Sequence, residues 1–270
     1  MPTSLTNPVR SALEEGRTVL GTFVMEFATG GFGSIAAQSG ADFVFLDQQH
    51  TGWSLGELSA AVWGCHAAGV PLGVRVPAAE PWLIGAALDT GATLIMVPSV
   101  SSAAEAARIV EAVRYPPYGR RALTTGFASD RFDPPGDLPS ELRRRDADTV
   151  VVVQIEDREG LENAAEIAAV DGVDVLWVGD GDLSTSLGIP GRLADPGFLA
   201  ALDTVASAAT RAGKSAGITT ADPAFAADAW GRGFDVICCG NDIKLMSRAL
   251  AGGIASFRDA IAGTHRPSPN

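Results

Sequence analysis

ADFVFLDQQHTGWSLGELSAAVWGCHAAGVPLGVRVP, residues 41–77, is the stretch that decides the predicted fold. It contains a predicted strand over 43–47, a helix over 55–69 that ends at a glycine, and a second strand over 71–76. Both strands are continuous apolar runs rather than alternating ones, which is typical of a parallel sheet covered on both faces. The stretch is therefore one strand–helix–strand unit of an α/β protein.

The same unit repeats along the chain. Further apolar strands are predicted over residues 19–25, 93–100, 149–156, 173–182, 214–220 and 234–240. Further helices are predicted over residues 31–40, 80–91, 102–115, 159–170, 198–213, 223–233 and 243–262. Eight such units within about 250 residues predict a (β/α)8 TIM barrel, with a doubly wound open sheet as the alternative. Neither GxGxxG nor GxxxxGK[ST] follows the first strand, so no nucleotide cofactor is expected.

The length and composition suit one large domain. The chain has 270 residues, of which 46% are hydrophobic and 19% charged, and no stretch looks like a domain boundary. We expect a single domain over 1–270, with a loop-rich segment at 116–148 and a frayed tail after about residue 263. Long connections in compact domains are often lids.

Charge and cysteine usage limit the partners and the compartment. The net charge of −12 argues against nucleic acid or an anionic membrane surface as a partner. The three cysteines are an odd number without CxxC spacing, which favours a reducing cytoplasm. Residues 1–16 lack the apolar core of a signal peptide. No apolar run approaches the roughly 18 residues of a membrane helix, so we expect a cytoplasmic protein.

Polar side chains follow four of the predicted strands. In a barrel of this kind, the chemistry lies at the carboxyl ends of the strands. Asp47 and His50 follow the second strand, and Arg75 ends the third. The fifth and sixth strands end with Gln154, Glu156, Asp180 and Asp182. Singly, an acid there often caps a helix, an arginine often forms a salt bridge, and a lone histidine is more often structural than catalytic. Together on one rim, they favour an active site.

Two of these residues are candidate metal ligands. Glu156 and Asp182 are oxygen donors at the ends of neighbouring strands, which suits Mg²⁺, Mn²⁺ or a similar divalent ion with waters completing the shell. Gly179 and Gly181 leave backbone N–H groups free to approach an anion beside the metal.

The chain resembles the HpcH/HpaI aldolase family, the metal-dependent class II pyruvate aldolases, from about Gly21 to Arg258. The motifs that carry the resemblance are FLDQQHTGWS, VRVP, LIMVPSV, RYPPYGRR, VVQIEDREGLEN and VLWVGDGDLSTSLGIPG. The resemblance implies reversible cleavage of a 4-hydroxy-2-oxo acid to pyruvate, or a related 2-oxo acid, and an aldehyde through a metal-stabilised enolate. It also implies a homo-oligomer, a hexamer built as a trimer of dimers, with the last helix exchanged between neighbours. The alternatives are oxaloacetate decarboxylation or acyl-CoA cleavage through the same enolate, and a barrel that binds a 2-oxo acid without converting it.

The resemblance also implies roles for the polar residues. His50 matches the base, and Arg75 matches the arginine that stabilises an oxyanion. Glu156 and Asp182 match the ligands of a divalent ion, which would be Mg²⁺, Mn²⁺ or Co²⁺. Gln154 and the backbone at Gly181 and Asp182 match the groups that contact the 2-oxo acid in the family.

Two acids are candidates for the partner of His50. Asp89 matches the acid that raises the basicity of the histidine, but it lies near the end of its helix, so it would act through a subunit interface or a bend. Asp47, three residues before His50, is the local alternative. No Schiff-base lysine is expected, because Lys214 starts a strand and Lys244 lies in the last helix.

The chain departs from the family pattern at two positions. Gln49 stands where the family commonly has an acid before the histidine. Asp180 lies in a GDGDL loop where the family has G-P-x-D-L. These positions bear on the substrate and the reaction type rather than on the metal pair.

Overall fold

The strands close into a barrel. The computed structural model describes residues 7–130, 132, 133 and 136–264. Within these residues the strands pair in parallel in chain order, and the last strand pairs with the first. The strands are β1 Val19–Val24, β2 Phe43–Asp47, β3 Leu72–Arg75, β4 Leu94–Val97, β5 Val150–Ile155, β6 Val175–Val178, β7 Ser215–Thr219 and β8 Phe234–Asn241. The closure confirms the predicted (β/α)8 barrel and excludes the open sheet.

The predicted helices are present, with their ends moved by a few residues. The helices of the described part are α1 Pro8–Glu14, α2 Phe32–Gln38, α3 Leu55–Ala68, α4 Pro81–Asp89, α5 Ala103–Val113, α6 Leu138–Asp148, α7 Arg158–Glu162, α8 Ala164–Ala168, α9 Asp180–Ser186, α10 Pro196–Arg211, α11 Pro223–Gly231 and α12 Asp242–Ala262. The helix predicted over 159–170 is divided into α7 and α8 at Asn163. None of the helices in the described ranges has the length and apolar character needed to cross a membrane.

The segment 116–148 is not loop-rich throughout, as its last part forms helix α6. The Glu141 carboxylate accepts hydrogen bonds from Arg144 and Arg145, three and four residues further on. Such pairs stabilise a helix, but α6 is mostly polar and offers no apolar stripe from which a helical period could be read. The predicted frayed tail lies outside the described residues from residue 265 onward.

The sixth strand is shorter than predicted. It ends at Val178, and the next residues form α9 with Gly179 as the N-cap. Asp180 and Asp182 therefore lie in the first turn of a helix rather than in a strand. Acidic side chains are favourable there because the amino end of a helix carries partial positive charge.

Alternate strand residues fill the interior of the barrel, and those of β1, β2 and β6 include aromatic rings. The rings of Phe23 and Phe45 have centroids 5.5 Å apart, and the Trp177 ring lies 5.9 Å from Phe45 and 6.2 Å from Phe23. Glycines on neighbouring strands make room for them. A Cβ on Gly73 would lie 2.4 Å from the Phe45 ring, and one on Gly217 would lie 2.2 Å from the Trp177 ring. The next inward-facing side chains towards the carboxyl end therefore lie next to these aromatic rings.

The outward faces of the strands are equally apolar. Val44, Leu46 and Val74 are fully buried against the helix layer, which contributes Leu58 and Ile84. Because both faces of a strand are covered, the strands read as continuous apolar runs in the sequence.

Candidate active site

An ion pair lies at the carboxyl ends of β2 and β3. Asp47 and Arg75 are the last residues of these strands and are partners in the strand register. Arg75 Nε donates to Asp47 Oδ1 and Nη2 donates to Oδ2, both at 2.8 Å. The guanidinium carbon lies 5.1 Å from the Phe23 ring centroid. Asp47 is fully buried and Arg75 nearly so, which makes the arginine a positive charge in a fixed place.

The loop after β2 folds over the same carboxylate. The N–H groups of Gln49 and His50 donate to the two Asp47 carboxylate oxygens at 2.9 Å and 3.3 Å. The Thr51 hydroxyl donates to the Asp47 carbonyl oxygen. The His50 side chain is exposed, and no described residue hydrogen-bonds to its ring. Asp47 therefore positions the His50 backbone and the Arg75 guanidinium. Its hydrogen bonds do not include the imidazole ring, for which Asp47 was one of two candidate partners.

Asp89 lies at the opposite end of the barrel. It is the last residue of α4, and the barrel helices run back from the carboxyl ends of the strands to the amino ends. Arg121 Nη2 donates to Asp89 Oδ1 at 3.0 Å, and the Asp89 side chain is 42% exposed. One chain therefore does not bring Asp89 to its own His50, and a role in raising the basicity of His50 requires a neighbouring subunit.

A buried carboxylate follows β5. Glu156 is only 6% exposed, and its Oε2 accepts the N–H and the hydroxyl of Ser99 at 2.8 Å and 2.9 Å. Burial raises the pKa of the Glu156 carboxyl. The Ser99 hydrogen bonds act against this rise in pKa, the charge of Asp182 adds to it, and Arg75 opposes it. Glu156 Oε1 has no hydrogen-bond partner within the described part of the chain.

Gln154 lies two residues earlier, on the inward face of β5. It is 2% exposed, and its Oε1 is buried without a hydrogen-bond partner among the described residues. Buried side-chain oxygens in native proteins are nearly always paired. An unpaired amide oxygen beside the Glu156 carboxylate therefore indicates a place for a ligand.

The first turn of α9 provides the second carboxylate. Asp182 is exposed at the rim, and its charge acts on Glu156. Burial raises the pKa of the neighbouring Asp180 carboxyl, while the backbone N–H of Gly181 and the charge of Lys244 act against that rise. Lys244 is exposed in the first turn of α12, just after β8.

The donor set fits a hard divalent ion. The available donors are the carboxylates of Glu156 and Asp182 and the unpaired amide oxygen of Gln154, all of them oxygen atoms. The described residues contain no group of three or more His, Cys, Asp or Glu side chains that could hold a metal ion. A site with two carboxylates leaves coordination positions for waters and substrate, which is how Mg²⁺ and similar ions usually bind.

The expectation that the Gly179 N–H is free for an anion is wrong, because it donates to the Ile155 carbonyl oxygen at 3.2 Å. Two residues contact Glu156 in ways that the sequence did not predict. These are Ser99, which donates both hydrogen bonds to the carboxylate, and Gly179, whose backbone lies against the same side chain. Each lies near the end of a predicted strand, where a serine or a glycine usually belongs to the following turn. The sequence contains no signal that would assign either residue to Glu156.

Known proteins resemble this chain in sequence and in fold. The family model HpcH/HpaI aldolase/citrate lyase matches residues 28–249. A hydroxypyruvate/pyruvate aldolase of Roseobacter denitrificans is 35% identical over 82% of this chain and 85% of its own length. A 4-hydroxy-2-oxovalerate aldolase of Rhodococcus jostii is 34% identical over 93% of this chain and 96% of its own length. The crystal structure of an HpcH/HpaI aldolase from Desulfitobacterium hafniense has a TM-score of 0.87 at 28% identity, covering 97% of this chain and 98% of that one. By its sequence and by its fold, this chain belongs to the HpcH/HpaI aldolase/citrate lyase family.

Proposed function

We propose that the chain is a divalent-metal-dependent aldolase that reversibly cleaves a 4-hydroxy-2-oxo acid to pyruvate, or a related 2-oxo acid, and an aldehyde. One observation carries the proposal. A fixed arginine, the carboxylates of Glu156 and Asp182, and the unpaired amide oxygen of Gln154 lie at the same rim of the barrel. A positive charge opposite a metal site is the arrangement that an enolate-forming reaction needs.

Glu156 and Asp182 would hold the ion, which would be Mg²⁺, Mn²⁺ or Co²⁺. When bound, the ion supplies Lewis-acid stabilisation of the negative charge that develops on the 2-oxo group. Gln154, whose amide oxygen is buried and unpaired, and the backbone at Gly181 and Asp182 would contact the 2-oxo acid.

The remaining chemistry belongs to Arg75 and His50. Arg75 holds a positive charge against the developing oxyanion, and its bond to Asp47 prevents the guanidinium from turning away. His50 removes the proton from the 4-hydroxyl group as the C3–C4 bond breaks, and the aldehyde leaves. The exposed ring of His50 can reach a substrate that enters from the solvent side of the rim. Protonation of C3 then gives pyruvate.

Arg75→Lys is expected to lower kcat by about 10²-fold or more, the scale of losing an oxyanion donor. Lysine keeps the charge but cannot form the two-bond pair with Asp47, so the charge is no longer held in place. The measurement is the steady-state rate of pyruvate release. Arg120→Lys is the control, because Arg120 is exposed and, among the described residues, its side chain forms an ion pair with Glu111 alone, at 3.5 Å. A higher KM with an unchanged kcat would make Arg75 a substrate anchor instead.

One screen tests the proposed function. Pyruvate is incubated with a panel of aldehydes in the presence of Mg²⁺, Mn²⁺ or Co²⁺, with EDTA as the control, and the reverse reaction is followed as pyruvate release from a 4-hydroxy-2-oxo acid. Metal-dependent turnover supports an aldolase. Turnover of oxaloacetate or of an acyl-CoA alone would favour another reaction through the same enolate. A barrel that only binds 2-oxo acids would give no turnover.

The last helix supports a homo-oligomer. Six apolar side chains of α12, spaced three or four residues apart, are between 43% and 73% exposed: Ile243, Met246, Leu250, Ile254, Phe257 and Ile261. The side of the barrel around β1 and β8 is also uncovered, with Leu20, Ile35 and Trp230 more than half exposed. Exposed apolar surfaces of this kind mark interaction sites. Exchange of α12 between two copies would cover both surfaces, as in a trimer of dimers.

Leu250→Glu combined with Phe257→Glu is expected to convert the oligomer to a monomer of 27.8 kDa. Both side chains lie on the apolar face of α12, where a buried carboxylate without a partner is strongly unfavourable. Light scattering after gel filtration measures the mass. Ala255→Glu places the same charge on the opposite face of the helix and should leave the oligomer intact. A wild-type chain that is already monomeric at micromolar concentration would contradict the proposal.

The proposed location is the cytoplasm. The three cysteines, Cys65, Cys238 and Cys239, are all free thiols, as expected for a reducing compartment.

A further inference from the structure

The Glu156 side chain is enclosed on both sides. Its strand, β5, lies between β4 and β6 in the barrel. Ser99, just after β4, contacts Glu156 Oε2, and Gly179, just after β6, packs against Oε1 and Cγ. The two neighbouring strand ends therefore determine where the carboxylate points.

Ser99 has an unusual backbone conformation. Its φ is +55°, in the left-handed region that residues other than glycine rarely adopt. In this conformation both the backbone N–H and the side-chain hydroxyl of Ser99 point at the same carboxylate oxygen, at 2.8 Å and 2.9 Å. Unfavourable backbone conformations are retained mainly where surrounding interactions hold them, and they are common at functional sites.

Gly179 is required for space rather than for its backbone angles. Its φ of −83° is open to any residue. A Cβ at this position would lie 2.5 Å from Glu156 Oε1 and 2.6 Å from Cγ, closer than atoms can approach. Any side chain on residue 179 would therefore displace the whole Glu156 side chain, not its tip alone.

We propose that Ser99 and Gly179 form a clamp that fixes the Glu156 carboxylate as a one-oxygen ligand. Oε2 accepts two hydrogen bonds from Ser99, so Oε1 alone would be left to bind the ion. The proposal rests on the metal-binding role of Glu156 in the proposed function.

The clamp also affects which metal ion binds. Small ions with octahedral geometry, such as Mg²⁺ and Mn²⁺, bind carboxylates through one oxygen, whereas Ca²⁺ readily takes both. The clamp therefore selects against Ca²⁺.

The test measures metal binding without turnover. Isothermal titration of Mn²⁺ and of Ca²⁺ into the metal-free protein gives both affinities for each variant. Ser99→Ala, which keeps the backbone N–H, is expected to weaken Mn²⁺ binding about tenfold, and Gly179→Ala about 100-fold, the span seen for residues that orient metal ligands. In both Ser99 variants, Ala and Gly, the preference for Mn²⁺ over Ca²⁺ is expected to fall, because Oε2 loses the hydroxyl, one of its two hydrogen-bond donors.

Ser99→Gly separates positioning from stability. Glycine adopts the left-handed conformation freely, so Tm is expected to stay the same or rise while Mn²⁺ affinity falls. Ser101→Ala is the matched control. Ser101 lies two residues after Ser99, and its hydroxyl donates to Asp157 at 2.7 Å rather than to Glu156, so its loss should leave Mn²⁺ affinity unchanged.

The outcomes separate this inference from the proposed function. If the wild type binds Mn²⁺ and the Ser99 variants bind it equally well with the same ion preference, the clamp is wrong and the metal site stands. If Ser99→Gly loses Tm together with Mn²⁺ affinity, Ser99 is merely structural and the clamp is again wrong. If the wild type binds no divalent ion, the proposed function itself fails.

Discussion

Glu156→Gln and Asp182→Asn are each expected to lower the rate of aldol cleavage by about 10³-fold. A Lewis-acid ion contributes several kcal/mol to transition-state stabilisation, and each ~1.4 kcal/mol is a factor of ten in rate. Each substitution removes a charged ligand and keeps the size of the side chain. A neutral amide still fits between Ser99 and Gly179, so the barrel should remain folded.

This prediction is checked by initial rates over a range of Mn²⁺ concentrations, with circular dichroism to confirm folding. Glu159→Gln is the control, because Glu159 is an exposed acid of α7 that lies outside the site. Its rate should match that of the wild type. Wild-type activity that survives exhaustive EDTA treatment, with no metal left in the protein, would exclude a metal-dependent aldolase.

His50→Ala is expected to lower aldol cleavage by about 10²–10⁴-fold, the usual span for general-base catalysis. It should lower oxaloacetate decarboxylation much less. In decarboxylation, carbon dioxide leaves without removal of a hydroxyl proton, although the same enolate forms. The ratio of the two rates in each variant is the measurement. Equal losses in both reactions would mean that His50 supports the structure rather than the proton transfer.

Asp47→Asn is a second test of how the two reactions differ, because the Asp47 carboxylate pairs with Arg75. An amide cannot accept both guanidinium hydrogen bonds, so Arg75 would lose its fixed place. Both reactions depend on Arg75, so Asp47→Asn is expected to lower both rates together, unlike His50→Ala. A selective loss of aldol cleavage would show that Asp47 acts through the imidazole ring.

The barrel could be predicted because every unit carries the same physical signal. In β5, Val150 and Val152 face the interior while Val151 and Val153 face the helices, and all four are buried. Burial on both faces removes the alternation of an exposed strand and leaves a continuous apolar run. That run is visible in the sequence without knowledge of any partner.

The elements that were predicted wrongly lacked such a signal. Helix α6 is stabilised by side-chain ion pairs on a polar surface rather than by an apolar stripe. The boundary between β6 and α9 falls within WVGDGD, where glycines and acids suit a strand end and a helix start equally well. In both places the secondary structure depends on local hydrogen bonds, which cannot be predicted from the hydrophobic pattern.

The sequence by itself determined which residues lie at the carboxyl ends of the strands. Parallel strands bring their carboxyl ends to one edge, so Asp47, Arg75 and Glu156 had to lie there once the strands were recognised. Only the tertiary structure decided how these residues pair. Asp47 binds Arg75 across 28 residues, and Ser99 binds Glu156 across 57 residues. Such pairings depend on strand register and on side-chain directions within the packed barrel, because residues so far apart in the chain meet only after the strands have closed.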